Sequence, residues 1–107
     1  MRRTRQRRPS TLEQAVGQVL LERREEQGLS QMDLAVAAGY SLRYIGDVER
    51  GTKSATMRTM NDLATLLEVS LGSLIVEAEE LLLASRRLRK RPAASKARQL
   101  KGRATRV

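Results

Sequence analysis

Residues 28–51 read Gly-Leu-Ser-Gln-Met-Asp-Leu-Ala-Val-Ala-Ala-Gly-Tyr-Ser-Leu-Arg-Tyr-Ile-Gly-Asp-Val-Glu-Arg-Gly, and no other stretch limits the fold as strongly. Ser30 and Ser41 stand eleven residues apart, and each side chain can accept from the first free amides of a helix. A short amphipathic segment follows each serine. Gly39 and Tyr40 fall between the segments as a tight corner, and Gly51 closes the second where a left-handed residue commonly ends a helix. The pattern predicts two short helices meeting at a turn.

The flanks carry the same period. A first helix starts near Ser10 or Thr11, with Glu13 or Gln14 in the capping-box position. Leu12, Val16, Val19 and Leu20 follow helical spacing, and Gly28 ends the element. The helix begun by Ser30 buries Leu34, Ala35 and Ala38, and the one begun by Ser41 buries Ile45 and Val48. Thr56 caps a fourth helix with an apolar stripe of Met57, Met60, Leu63, Ala64 and Leu67. Ser70 caps a fifth, with Leu71, Leu74, Ile75 and Ala78 facing inward. Helical composition runs on to Leu88, and Pro92 ends it by about Arg91. Five helices and no strand predict an all-α, compact domain over residues 11–85. A basic disordered arm (1–10) and a basic tail (86–107) flank it.

Charge divides along the same boundaries. Residues 1–8 hold five arginines and residues 86–107 hold ten Lys/Arg, with no acid in either. The middle keeps six basic residues against all twelve acids, a net charge of −6 inside a chain of net +9. Attraction to a polyanion therefore resides in the tails rather than the body. If six tail charges engage phosphates, the log–log salt slope of binding steepens by about 5. The alternative is a tail that only solubilises.

The spacing of the central segment resembles the lambda-repressor-like family, also called the Cro/CI or xenobiotic-response-element type. Its members commonly read Gly-Leu-Ser-Gln, Leu-Ala, Gly-Val-Ser and Ile-Ser-x-Ile-Glu-Arg-Gly. Here stand Gly28-Leu29-Ser30-Gln31, Leu34-Ala35, Gly39-Tyr40-Ser41 and Ile45-Gly46-Asp47-Val48-Glu49-Arg50-Gly51. Looser similarity extends over residues 12–76. The resemblance implies a five-helix domain with an extended last helix and a helix-turn-helix at about residues 30–51. Its second helix would enter the DNA major groove.

On that resemblance, Gln31, Ser41, Leu42, Arg43 and Asp47 face the bases. Arg43 can bond guanine O6 and N7, Gln31 can bond adenine N6 and N7, and Leu42 can meet a thymine methyl. Asp47 can accept from cytosine N4 or hold Arg43 in place. A solvated surface charge is the alternative for Arg43. Ser30, Tyr44, Arg50, Lys53, Thr56 and Arg58 are the expected phosphate contacts, although Arg50 equally suits the C-terminal dipole of its helix. Arg24 and Glu49 match a structural ion pair between the first and third helices. Tyr40 replaces a common valine, a packing variant.

Val76, Leu82 and Leu83 bring more apolar surface to the last helix than a domain of this size buries. With Leu74 they form the expected surface of a homodimer, unless the strip folds over the domain's own core.

Absences narrow the function. No Cys and no His are present, which removes disulfides, thiolate sites, the usual general base and the commonest metal ligand. Enzymatic activity, a metal and a cofactor are not expected. No apolar run approaches membrane-spanning length and the start is no secretory signal, so a cytoplasmic, nucleoid-associated protein is expected. The resulting expectation is a transcription regulator that reads a palindromic operator in double-stranded DNA as a homodimer. Two alternatives stay open: an antitoxin, whose acidic body and fifth helix would face a toxin or other protein partner, and a non-specific nucleoid or RNA-binding protein led by its tails.

Overall fold

The computed structural model describes residues 8–89. Five helices follow in order: α1 (Leu12–Glu26), α2 (Gln31–Ala38), α3 (Leu42–Arg50), α4 (Met57–Leu66) and α5 (Leu71–Arg89). No strand occurs among the described residues.

Local chemistry sets the boundaries. Thr11, Ser30, Ser41 and Thr56 each accept, through the side-chain oxygen, from the amide three residues on. Ser70 does the same for α5, accepting from the Ser73 amide at 3.0 Å. The Ser30 cap is reciprocal, because Asp33 accepts from the Ser30 amide at 2.9 Å. Gly39 and Gly51 end α2 and α3 in the left-handed region. The chain leaves α4 through Glu68, which takes a left-handed φ of 59° without being glycine.

α1 is the central strut, packed against both α3 and α5, while α2 rests on α3 and α4. Val16, Val19 and Leu20 meet Leu34, Ile45, Val48, Leu63, Leu67 and Leu74 in one buried cluster. Arg23 keeps its guanidinium at the surface, where it pairs with Glu26 on its own helix and Glu77 on α5. That second pair fastens the two long helices.

Several expectations need correction. Leu74 and Leu82 do not belong to a dimer surface: both are buried, because the face of α5 that carries them lies on α1. Val76 and Leu83, on the opposite side of the same helix, are exposed. Leu12 and Met57 open α1 and α4 at the surface instead of in the core. The buried side of each first turn is carried instead by Ala15 and Thr59. α5 runs past residue 85 to Arg89, within the span to about Arg91 that Pro92 allows. At the other end, Pro9 is buried and its carbonyl accepts from the Ser85 hydroxyl at 2.9 Å, so the chain is already held at Pro9 before α1 begins. The expectations for residues 1–7 and 90–107 lie outside the described residues.

Candidate nucleic-acid interface

The surface begins with how closely α1 and α3 approach. Gly17 lies mid-helix in α1 against the last turn of α3. A Cβ there would stand 2.3 Å from the Val48 carbonyl oxygen and 2.4 Å from that of Glu49. At the other side of the crossing, a Cβ on Gly51 would lie 2.5 Å from the Gln14 Cα. The two glycines let α3 sit flush on α1.

A buried polar triad locks that crossing. The Arg24 guanidinium forks onto Glu49, with Nε to Oε2 at 2.7 Å and Nη2 to Oε1 at 3.1 Å. Nη1 donates to the Leu29 carbonyl at 2.7 Å, in the loop before α2. The Glu49 hydrogen bond holds Arg24 even more firmly protonated than an ordinary guanidinium. Glu49 also accepts from Gln31 Nε2 at 2.8 Å. The ion pair expected between Arg24 and Glu49 is thus present, and it reaches the first residue of α2. Gln31 is half-buried, with one amide hydrogen committed to Glu49.

The start of α3 projects outward. Ser41 is exposed and its oxygen accepts from the Tyr44 amide at 3.0 Å. Leu42 is exposed, and the Arg43 side chain is 87% exposed, the most open of the paired cations. Ile45 and Val48 turn inward, so the opposite face of α3 is the one presented. Tyr44 is half-buried, its ring 5.3 Å from that of Tyr40. Tyr40 holds the turn onto α4: its hydroxyl donates to Asp62 at 3.1 Å and shares a hydrogen bond with Thr59.

Asp47 departs from its expected place. Its side chain is only 12% exposed, beneath the surface rather than on it. Arg50 Nη2 lies 2.6 Å from Oδ1, while Arg43 Nε at 3.8 Å and Lys53 Nζ at 3.9 Å approach Oδ2. Burial works to raise the pKa of this carboxyl. The Arg50 hydrogen bond, the Thr52 hydroxyl and the charges of Arg50 and Lys53 outweigh it and hold the group below the usual carboxylate range. One carboxylate therefore gathers three cations along the outer edge of α3 and the following loop. Arg50 also folds back over Gly46, where a Cβ would lie 3.1 Å from Nη1. A serine, common at that position in the lambda-repressor-like pattern, would crowd the guanidinium.

Thr56 and Arg58 are exposed at the start of α4, and Lys53 projects from the loop before it. The Thr56 hydroxyl is engaged with Thr59, donating at 3.1 Å. Ser30 is exposed at the start of α2. The N-termini of α2, α3 and α4 carry the free amides and positive dipole ends that attract phosphate. Of the residues expected to touch DNA, Ser30, Ser41, Leu42, Arg43, Arg50, Lys53, Thr56 and Arg58 are exposed, Gln31 and Tyr44 are half-buried and Asp47 is buried; sequence reasoning did not single out every residue that shapes this surface. It missed Gly17, whose only signal was a glycine inside an otherwise strong helix.

A helix-turn-helix family model (HTH_3) matches residues 20–74, from the middle of α1 into α5. The chain belongs to the helix-turn-helix family. An uncharacterized HTH-type transcriptional regulator of Sinorhizobium fredii, y4dJ, is 34% identical over 65 residues, which cover 61% of this chain and 84% of that protein. Among solved structures, the clp gene regulator ClgR from C. glutamicum superposes with a TM-score of 0.64 at 26% identity, over 67% of this chain and 94% of that one. The restriction-modification controller protein C.AhdI from Aeromonas hydrophila gives a TM-score of 0.55 at 38% identity, over 57% of this chain and 92% of its own. The helix-turn-helix unit is α2, the Gly39–Ser41 turn and α3. No helix among the described residues is long and apolar enough to cross a membrane.

Proposed function

We propose that this helix-turn-helix protein is a sequence-specific transcription regulator that binds a palindromic site in double-stranded DNA as a homodimer. The observation that carries it is the presentation of α3, whose exposed Leu42 and Arg43 stand on a backbone fixed by Gly17, Gly51 and the Arg24–Glu49–Gln31 triad. Base readout needs this combination of free side-chain tips on a rigid helix, because a contact displaced by an ångström is lost. The names of the similar proteins support the regulatory role.

Arg43 reads guanine and Leu42 meets a thymine methyl at the start of α3. Gln31 offers its remaining amide atoms to an adjacent base. Asp47 positions its cations instead of touching bases, steering Arg43 toward the groove and keeping Arg50 and Lys53 along the backbone. Ser30, Ser41, Tyr44, Thr56 and Arg58, with the helix-terminal amides, bind phosphates and set the register. The protein is non-enzymatic and works in the cytoplasm on the nucleoid. The homodimer brings two α3 helices to two half-sites, and Val76 and Leu83 supply the exposed apolar surface for it.

Arg43→Ala tests the readout. Binding to the preferred site should weaken by about 1–3 kcal/mol, and preference should relax at one base pair in each half-site. Competition binding against single-base variants measures both. An equal loss on every sequence would make Arg43 a phosphate contact and remove it from readout.

A further inference from the structure

The outward face of α5 carries a pattern that the readout does not use. Val76, Glu79, Glu80, Leu83, Arg86 and Arg87 recur at steps of three and four residues, so they share one side of the helix, and all six are exposed. The buried residues of α5, Leu74, Ala78, Leu82 and Ser85, lie on the other side. Among the described residues, no ion pair engages Glu79, Glu80, Arg86 or Arg87. The acidic pair and the basic pair sit about 5 Å along the axis on either side of Leu83, at about 1.5 Å per residue.

That order is self-complementary in one arrangement. If a second copy of α5 crosses antiparallel about a two-fold axis at Leu83, Leu83 meets Leu83. Glu79 and Glu80 of each copy then oppose Arg87 and Arg86 of the other. Helices packed this way lie about 8–10 Å apart, a gap these long side chains bridge. A parallel pairing would set carboxylates against carboxylates and guanidinium groups against guanidinium groups. A purely acidic or purely basic partner would leave half of the face mispaired, and the Glu79 and Glu80 carboxylates disfavour nucleic acid.

We propose that this face is the homodimer interface and that the Glu79/Glu80 and Arg86/Arg87 pairs fix an antiparallel register centred on Leu83. This rests on the homodimer reading above and adds orientation, centre and charge code to it. Assembly is then salt-sensitive, because the pairing charges are exposed.

Two full-length variants test it: one carrying Glu79→Lys with Glu80→Lys, the other Arg86→Glu with Arg87→Glu. Circular dichroism checks that each keeps its helix content. Sedimentation velocity should show each variant self-associating about tenfold or more weakly than the parent, since exposed pairs are lost and like charges oppose. An equimolar mixture should recover association as a heterodimer, because both charge contacts are attractive again. Leu83→Asp should weaken association on its own. A parent protein that dimerises while both charge variants dimerise equally well, or a mixture no tighter than its components, overturns the register and leaves the homodimer standing. A parent that stays monomeric at micromolar concentration and on DNA overturns both.

Discussion

Alanine at Gly17 is expected to cost the domain at least about 3 kcal/mol, the upper range for overpacking a close contact. The atoms a methyl would strike, the Val48 and Glu49 carbonyl oxygens, belong to the backbone of α3. No side chain can swing aside, so α1 and α3 must move apart. That movement strips Val16 and Val19 from Ile45 and Val48 and draws Glu49 away from Arg24. Gly51→Ala should behave similarly, since a positive φ of 76° adds to the overlap with Gln14. Gly39→Ala is the control: its φ is 80°, but nothing lies within 4 Å of the added carbon. It should cost only about 1–2 kcal/mol for the left-handed conformation. Urea unfolding followed by circular dichroism separates the cases. The Gly17 midpoint should fall by about 1 M or more, given typical slopes of about 1–3 kcal/mol/M. Equal midpoints for Gly17→Ala and Gly39→Ala would mean that the crossing is not as tight as described.

Removing the Glu49 carboxylate should be nearly as severe. Glu49→Ala is expected to destabilise by about 3–5 kcal/mol, because Arg24 would stay charged in a site where its side chain is 10% exposed. The pair need not stabilise the fold relative to apolar residues. Replacing both, Arg24→Met with Glu49→Leu, should recover most of the loss, as buried ion pairs commonly allow. DNA affinity should not recover with it, because Gln31 loses the partner that orients its amide. Thermal unfolding and DNA titration on the two single variants and the double variant test both statements. A double variant as unstable as Glu49→Ala would show that the pair stabilises the fold in its own right.

The elements were legible because their signals are local. Ser30, Ser41 and Thr56 cap within three residues of themselves, and Gly39 and Gly51 take conformations set by their own backbone. Arg24 and Glu49 were legible only through the resemblance, since nothing in their spacing shows that α1 crosses α3. What the sequence concealed depends on rotation and crossing. Val76, Leu82 and Leu83 read alike as surplus apolar residues. Only the way α5 lies on α1 sends Leu82 inward beside Leu74 and leaves the other two exposed. Asp47 looks outward by helical position, yet Arg50, Lys53 and Thr52 close over it from one turn and one loop later. Pro9 falls in an arm that composition predicts to be disordered, because proline and arginine carry no burial signal; its carbonyl contact with Ser85 joins residues 76 apart in sequence.

Selection of bound DNA from a random pool at moderate salt decides whether α3 reads sequence. One enriched motif of two inverted half-sites is expected, centred about 10–10.5 base pairs or a multiple of that apart, as two-fold-related recognition helices require. The same selection with Arg43→Ala should keep the spacing and lose discrimination at one position in each half. Recovery of unrelated sequences without any enriched motif would contradict sequence-specific readout by α3.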